Sequence, residues 1–489
     1  MVKVNLKNKF AFLNKSKAIN SENNILGLEE NINTNANWFQ SMEPVTYAKN
    51  NGKKLYKFKK IIINHEDTKT FKKLLFNDLK KQLDQYKQKI RQEFLSTSDG
   101  SLNVGLNVIL MDSMLREILD NTYKHVFGNL EYKLSIVAVG GYGRGELAPH
   151  SDLDLLFLIP DNLKKTETKH IEGLIQLILY LLWDLGYTVG HSTRTIFDCI
   201  KKSKLDLTIS TSLLEKRFIA GNEQNFDLLN SKFNSFISNS KTLNFVEEKL
   251  KEAELRHKKF GGSRYVVEPN VKDGKGGLRD LHTLIWISKF AYKVDSISKL
   301  IKMGAFSKNE ALTFAEAQRF LLSVRCHLHY RAEREDDRLA MDAQLEIAKS
   351  MNFKNTITHK DVERFMKRYF LATKTVGNLT RIFCAAIETE FNKPLRLSFL
   401  SFKKSENVDP FSIELGRLYV KSKNILTENP VNIIKLFYIS HKKNIDIHPI
   451  TLRQMTSLTK LINSEVRHDF TANQMFLDIL TSQRDSTRT

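Results

Sequence analysis

The sequence predicts an α+β fold, with a small sheet flanked by helices and a mostly α-helical region after it. Two observations place the sheet. LSIVAVG (134–140) and LDLLFLIP (153–160) are short, almost continuous apolar runs, the second stopped by Pro160, which is how strands buried beneath helices read. The third observation sets the remainder: beyond about residue 240, apolar residues recur at helical spacing over long stretches.

In chain order, residues 1–65 are rich in Lys and Asn with weak periodicity, and a loosely ordered basic arm with room for a short helix is expected there. From Asp67 to Phe94 the residues Phe71, Leu74, Leu75, Leu79, Leu83 and Tyr86 keep a helical period, with lysines between them. A second helix is expected at about 106–127, closed by Gly128. After the two strands a helix spans 168–185, and TVGHSTRTIF (188–197) reads as a third strand. Long amphipathic helices are expected at 241–259, 279–295, 308–333 and 359–389. A polar, irregular segment (390–424) holds LRLSFLSF and FSIELGRLYV as hairpin strands, and helices follow at about 430–440 and 450–463. The polar SQRDSTRT end is expected to fray.

The 489 residues predict about three structural units at roughly 150 residues per domain. With 41% hydrophobic and 27% charged residues the chain can bury a core, which excludes global disorder. Its 76 Lys+Arg against 55 Asp+Glu leave +21, a balance that suits a polyanion such as a nucleotide, a nucleic acid or an acidic protein face. Solvated lysine-rich faces give the same balance, so charge alone does not choose a function. Cys199, Cys326 and Cys384 are odd in number and far apart, which excludes a disulfide framework and fits a reducing cytoplasm. The run LIQLILYLLW (174–183) falls short of the about 20 residues a bilayer requires. The first twenty residues are basic and lack an acid, yet the first arginine of the chain is Arg91 and no long apolar h-region exists, so no organellar or secretory signal is expected.

The chemistry concentrates in LSIVAVGGYGRGELAPHSDLDLLFLIP (134–160). A buried strand delivers the chain into a loop with Gly140, Gly141, Gly143 and Gly145, and Ser151, Asp152, Leu153 and Asp154 open the next strand. Glycines permit positive φ and close backbone approach, so amides can point into an anion such as a triphosphate. Asp152 and Asp154 are two apart at a strand start, so both carboxylates leave one face while Leu153 points into the core. Two neighbouring carboxylates repel unless a hard cation sits between them, and Mg²⁺ takes such oxygens together with substrate phosphates.

Cheaper explanations are weaker. GRGELA (143–148) matches G-x-G-x-x-A, but that fingerprint needs a helix directly behind its glycines, and here Pro149, a polar turn and a strand follow. No G-x-x-x-x-G-K-[ST] occurs, which removes a P-loop. A purely structural turn leaves four glycines and two acids unexplained. The loop EPNVKDGKGGLRD (268–280) brings Lys272, Lys275 and three glycines ahead of a helix near Leu278, and is either an anion site at a helix start or a rigid inter-domain turn. Cys326, His327 and His329 sit mid-helix at a spacing poor for chelation and read as core. His468 and Asp469 lack the further ligands of a phosphohydrolase site and read as coincidence.

The segment G-G-Y-G-R-G-E-L…P-H-S-D-L-D-L-L resembles the nucleotidyltransferase signature of the DNA polymerase β superfamily. YVVEPNVKDGKGGLRDLHTLIW (265–286), RCHLHYRAEREDDRLAMDAQLEIA (325–348, read as one helix) and VGHSTRT (189–195) are similar to elements of the bifunctional PII uridylyltransferase/uridylyl-removing family. The likeness runs over roughly residues 70–480. It implies a small mixed sheet of polymerase β type, with Mg²⁺ on Asp152 and Asp154. It also implies UTP phosphates on Gly140 and Gly141. Arg144 either reaches a phosphate or pairs with Glu146 or a neighbour, and Ser151 either caps the turn or donates to a phosphate. Lys272 and Arg279 are secondary candidates. A third metal carboxylate stays open between Asp198, Asp206 and Glu215.

The implied domains are 1–65 (arm), 66–240 (N-terminal helices plus nucleotidyltransferase), 241–390 (helical, closing on nucleotide or substrate) and 391–489 (small α+β segment). The implied reaction moves UMP from UTP to a tyrosine hydroxyl of the PII nitrogen-signalling protein, in the cytoplasm. Family members continue into an HD hydrolase and two ACT domains, so uridylyl removal and glutamine sensing are not expected of these 489 residues. The alternatives are a polymerase β-like transferase acting on RNA or on another protein, such as the related glutamine synthetase adenylyltransferase, and a non-catalytic nucleotide-sensing scaffold.

Overall fold

A computed structural model describes residues 43–52, 54–63, 66–128, 130–293, 308–356, 359–390, 407–414, 417–420, 422, 424–456 and 458–482. They divide into two compact units, parted between Gly377 and Asn378. The proposed strand LRLSFLSF and the polar end after 482 lie outside the described residues.

The first unit is built on a four-stranded sheet of β1 (Ser135–Ala138), β2 (Leu153–Ile159), β3 (Val189–Thr195) and β4 (Arg217–Gly221), in the order β3-β2-β1-β4. β1 runs antiparallel to both β2 and β4, whereas β2 and β3 are parallel, so the sheet is mixed as expected. The continuous apolar runs arise because both faces are covered. Ile136, Ala138, Leu153, Leu155 and Phe157 pack into one core with helices α2 (Thr68–Thr97), α3 (Gly100–Phe127) and α5 (Lys165–Asp184). Val137, Val139, Leu156 and Leu158 enter a second core with α6 (Ile196–Ser203) and α8 (Glu223–Asn239). Within the expected arm, α1 (Pro44–Asn51) is helical, and Tyr56, Phe58 and Ile61 are buried in the first core.

Several elements differ from the sequence reading, each for a local reason. Helix α3 starts at Gly100, not near 106, because the Asp99 carboxylate accepts the Leu102 amide at 3.1 Å and caps it. Residues 140–144 form a short helix, α4, rather than a plain loop. The 196–239 stretch yields α6, α7 (Leu207–Leu214), β4 and α8, none of them expected. The first two helices and α8 are capped by Thr195, Asp206 and Asn222. The segment 325–348 is not one helix: α11 (Lys308–Ala332) stops at Glu333, which has φ 51°, and α12 (Met341–Ser350) starts afresh. The intervening EREDDR has no apolar residue to bury, and its charges pair elsewhere. Helices α9 (Thr242–Lys259) and α10 (Leu278–Tyr292) complete the expected pattern up to α13 (Asp361–Glu390), whose residues beyond Gly377 group with the second unit.

The second unit pairs β5 (Asn407–Val408), β6 (Phe411–Glu414) and β7 (Arg417–Tyr419) antiparallel. It packs them with α15 (Val431–Lys443), which follows α14 (Asn424–Glu428), and with α16 (Pro449–Thr456) around Leu418, Val420, Leu426 and Leu436. Helices α17 (Ser464–His468) and α18 (Phe470–Leu480) were not expected. The HD dipeptide has a structural part there: the Asp469 carboxylate accepts the Ala472 amide at 2.7 Å and caps α18. Among the described residues no helix is long and apolar enough to cross a membrane.

Candidate active site

The site forms where β1, α4, β2 and β3 meet. β1 ends at Ala138 and the chain turns at once into α4, whose first residues are Gly140 and Gly141. An α-helix leaves its first amides without intrahelical acceptors. Gly140 has φ 59°, which favours glycine, and a Cβ there would stand 2.5 Å from Oδ2 of Asp154 and displace that carboxylate. The Val139 amide donates to the Asp154 carbonyl at 3.0 Å and fixes the glycine turn against β2.

Asp154 shares a sheet face with Leu156 and Leu158, opposite the face of Leu153 and Leu155. Asp152 precedes the strand by one residue and is exposed, whereas Asp154 is half-buried. Burial raises the Asp154 pKa and the nearby Asp152 charge raises it further; Lys272 and Arg279 pull in the other direction. The structure therefore brings the two acids and both secondary candidates into one electrostatic neighbourhood. Neither aspartate side chain makes a hydrogen bond or ion pair among the described residues. Ser151 closes the preceding turn with its amide on the Ala148 carbonyl at 3.1 Å, while its buried hydroxyl is left without a partner.

Arg144 takes the ion-pair alternative. Its Nε lies 3.1 Å from Oε2 of Glu146 and its Nη1 donates to Glu215, with all three side chains buried. Glu146 also accepts from Gln318 at 2.6 Å and contacts His282 Nε2 at 2.7 Å; Glu215 accepts from Trp286 Nε1 at 2.5 Å. Burial opposes the charge on Glu146, but Arg144 and His282 outweigh it and hold the carboxyl well below the usual range. Burial, with Arg144 beside it, pushes His282 down to about 4.

Of the three candidates for a further metal carboxylate, Asp198 lies beyond the far end of β3, where it accepts from the Thr195 hydroxyl. Asp206 accepts the Thr208 amide at 2.7 Å as a helix cap. Glu215 does act electrostatically on Asp154, from within its pairing with Arg144 and Trp286. The strand beside Asp154 supplies Gly190, not an acid, and a Cβ there would stand 2.5 Å from Oδ1 of Asp154. Sequence reasoning missed this residue, although a glycine inside a strand signals close approach.

In the second loop the amides of Leu278, Arg279 and Asp280 donate to the carbonyls of Val271, Lys272 and Gly277 at 2.8–3.1 Å. The start of α10 thus has its backbone donors satisfied within the loop, which is the rigid-turn alternative. The Asp280 carboxylate locks the turn by accepting from the Gly276 amide at 2.7 Å and by pairing with Arg256 and His257. Lys272 Nζ lies 2.8 Å from Glu335 and 3.7 Å from Asp337, and Arg279 Nε lies 3.2 Å from Asp273. His329, Glu335 and Asp337 bring three possible metal-ligand atoms within 4.8 Å. Both carboxylates already face cations, however, since Arg325 Nε is 2.7 Å from Asp337 and Lys272 holds Glu335. Cys326 is buried, and the His327 ring packs 4.5 Å from that of Phe94, as the core reading expects.

A model described as nucleotidyltransferase domain matches residues 120–219, the segment that holds this site. GlnD PII-uridylyltransferase matches residues 244–384, and uridylyltransferase GlnD third domain matches 411–489. The bifunctional uridylyltransferase/uridylyl-removing enzyme of Azospirillum brasilense is 41% identical over 434 residues, covering 87% of this chain and 46% of that protein. Its counterpart in Rhodospirillum rubrum is 42% identical over 413 residues, 83% of this chain and 44% of that protein. The chain spans less than half the length of these curated relatives. With the acids, glycines and second loop each on a matched segment, the chain belongs to the GlnD uridylyltransferase family.

Proposed function

We propose that the chain is a Mg²⁺-dependent nucleotidyltransferase that moves UMP from UTP to a tyrosine hydroxyl of the PII protein and releases pyrophosphate. The observation that carries this reading is Asp154: a half-buried carboxylate wedged between Gly140 and Gly190, raised in pKa, and beside a second acid. Burying like charges without partners is unfavourable, and it is retained where an ion or ligand completes the site.

The residues fit a hard divalent cation. Asp152 and Asp154 offer two oxygen donors with no competing ammonium or guanidinium in contact, unlike the His329, Glu335 and Asp337 group. When bound, such an ion neutralises triphosphate charge and lowers the pKa of an attacking hydroxyl. The chain supplies the rest. Amides of Gly140 and Gly141 bind phosphate oxygens, and the orphaned Ser151 hydroxyl donates to one. Lys272 and Arg279, on the same electrostatic neighbourhood as Asp154, offset equatorial charge as it spreads. Arg144 positions rather than binds: it ties the glycine turn to Glu215 and, through Glu146, to α10 and α11. The tyrosine oxygen forms a bond to the α-phosphorus as the bond to pyrophosphate breaks, so most of the acceleration comes from orientation.

The test incubates the purified chain with Mg²⁺ and labelled UTP, ATP or CTP, and with PII or tRNA as acceptor. UMP on a PII tyrosine is the expected product. AMP on a protein moves the reading to an adenylyltransferase, label on tRNA to an RNA-end transferase, and no label on any acceptor to a scaffold.

A further inference from the structure

The sheet has one open edge next to the acids. β3 pairs with β2 alone, and no described strand lies on its outer side. Its sequence VGHSTRT exposes Gly190, His191 and Thr193. The register sets Asp154 opposite Gly190, so this edge runs directly past the proposed reaction centre. We infer that β3 binds the acceptor as an added strand, in extended conformation, with the tyrosine rising from that strand beside Gly190. This rests on the reading that a protein tyrosine is the acceptor.

Geometry supplies the first argument. An added strand lies about 4.8 Å beyond β3, and its side chains alternate between the two faces. On the acid face β3 presents Gly190 and Ser192, and the Asp154 carboxylate already leans toward β3, with Oδ1 2.5 Å from where a Gly190 Cβ would be. A tyrosine is long enough to carry its hydroxyl over this bare ground toward the acids. A serine or threonine hydroxyl sits next to its own Cβ and stays above its own strand. The missing side chain at 190 and the choice of a long phenol over a short alcohol thus have one cause.

The opposite face supplies the second argument. There Val189, His191 and Thr193 alternate with the glycine side, and the Trp183 ring of α5 lies 6.3 Å from that of His191 and 5.6 Å from that of Tyr180. Trp183 and Tyr180 are 44% and 52% exposed, an aromatic shelf flanking the edge strand. Residues on either side of the acceptor tyrosine, which point to this face, rest on that shelf. Main-chain pairing gives affinity, and the two faces give register.

Hydrogen exchange of the full chain, with and without PII, tests the inference alongside steady-state kinetics. The amides within 189–195 that point away from β2 are expected to slow by about tenfold or more on PII addition. Trp183→Ala is expected to raise the KM for PII about tenfold while the KM for UTP and kcat stay within about twofold. Unchanged 189–195 amides during active UMP transfer overturn the added strand and leave the transferase reading standing. So does protection, in the free chain, of those 189–195 amides that point away from β2, which would mean that the edge is already occupied by this chain's own residues. No transfer to PII by the unaltered chain removes the transferase reading itself.

Discussion

Two ranks of acidic residues in this molecule are treated oppositely. At the front, Asp152 and Asp154 face each other's charge and make no hydrogen bond or ion pair among the described residues. Behind them, Glu146, Glu215 and Asp280 are more deeply buried, and each is matched by cations or hydrogen-bond donors. The rear rank follows the usual rule that a buried charge is paired. In the front rank the half-buried Asp154 breaks it. On the proposed reading, what separates a functional acid from a structural one is whether the fold has supplied a counter-charge in contact with it.

The largest expected effect tests the front rank. Asp154→Asn removes a charge the fold disfavours, so transfer of UMP should fall by about three orders of magnitude or more while the melting temperature holds or rises. The sign follows from the raised pKa: the folded state binds the proton more tightly than the unfolded one, so ionisation near neutral pH costs stability that asparagine restores. Activity that survives in Asp154→Asn breaks the comparison outright.

Glu146→Ala tests the rear rank. Arg144 would keep only Glu215, and the His282 and Gln318 donors would lose their acceptor. Truncating one member of such a network should cost about 3–5 kcal/mol, read as a lower denaturation midpoint with an unchanged slope. A variant of normal stability but lost activity would move Glu146 into the front rank.

The rear rank should also respond to acid. His282, ordinarily near 6.5, is held down to about 4 by burial and Arg144. The unfolded chain binds the proton first, so stability should fall as pH drops from about 6.5 toward 4, by on the order of 3 kcal/mol for this group. Glu146, held well below the usual carboxylate range, adds loss below that window. His282→Gln, which cannot take up a proton, should flatten the upper part of the profile in pH-dependent melting; an unchanged profile assigns the loss to other groups.

The front rank and, in the rear rank, the Arg144–Glu146 pair were open to reading in the sequence because they are local, whereas the rest of the rear rank is not. Asp152 and Asp154 are two apart where a strand starts, and Gly140 and Gly141 follow directly from a buried strand. Glu146 instead meets His282 and Gln318, 136 and 172 residues away, and Glu215 meets Arg144 across 71 residues. No spacing rule reaches that far. The short elements between 196 and 239 were missed because stretches such as IFDCIKKS are too brief to establish a period, though their caps Thr195, Asp206 and Asn222 were visible. Gly190 was the readable signal left unread: a glycine inside a strand, where a Cβ would stand 2.5 Å from the Asp154 carboxylate and push it aside.

Lys272 links the front rank to a further pair of matched acids and so sharpens the comparison. It pairs with Glu335 at 2.8 Å and with Asp337 at 3.7 Å, yet its charge also acts on Asp154. Arg325 reaches the same two acids, at 3.2 and 2.7 Å, so neither would be stranded by the loss of the lysine. Lys272→Met, which keeps most of the aliphatic stem, should therefore cost less than about 1 kcal/mol of stability. If the ammonium meets the triphosphate, the KM for UTP should rise about tenfold, equivalent to about 1.4 kcal/mol, with the KM for PII unmoved. A Lys272→Met chain that melts early but keeps its KM for UTP would place this lysine wholly among the structural cations. Asp154 would then have Arg279 as the remaining basic side chain of that loop in its electrostatic neighbourhood.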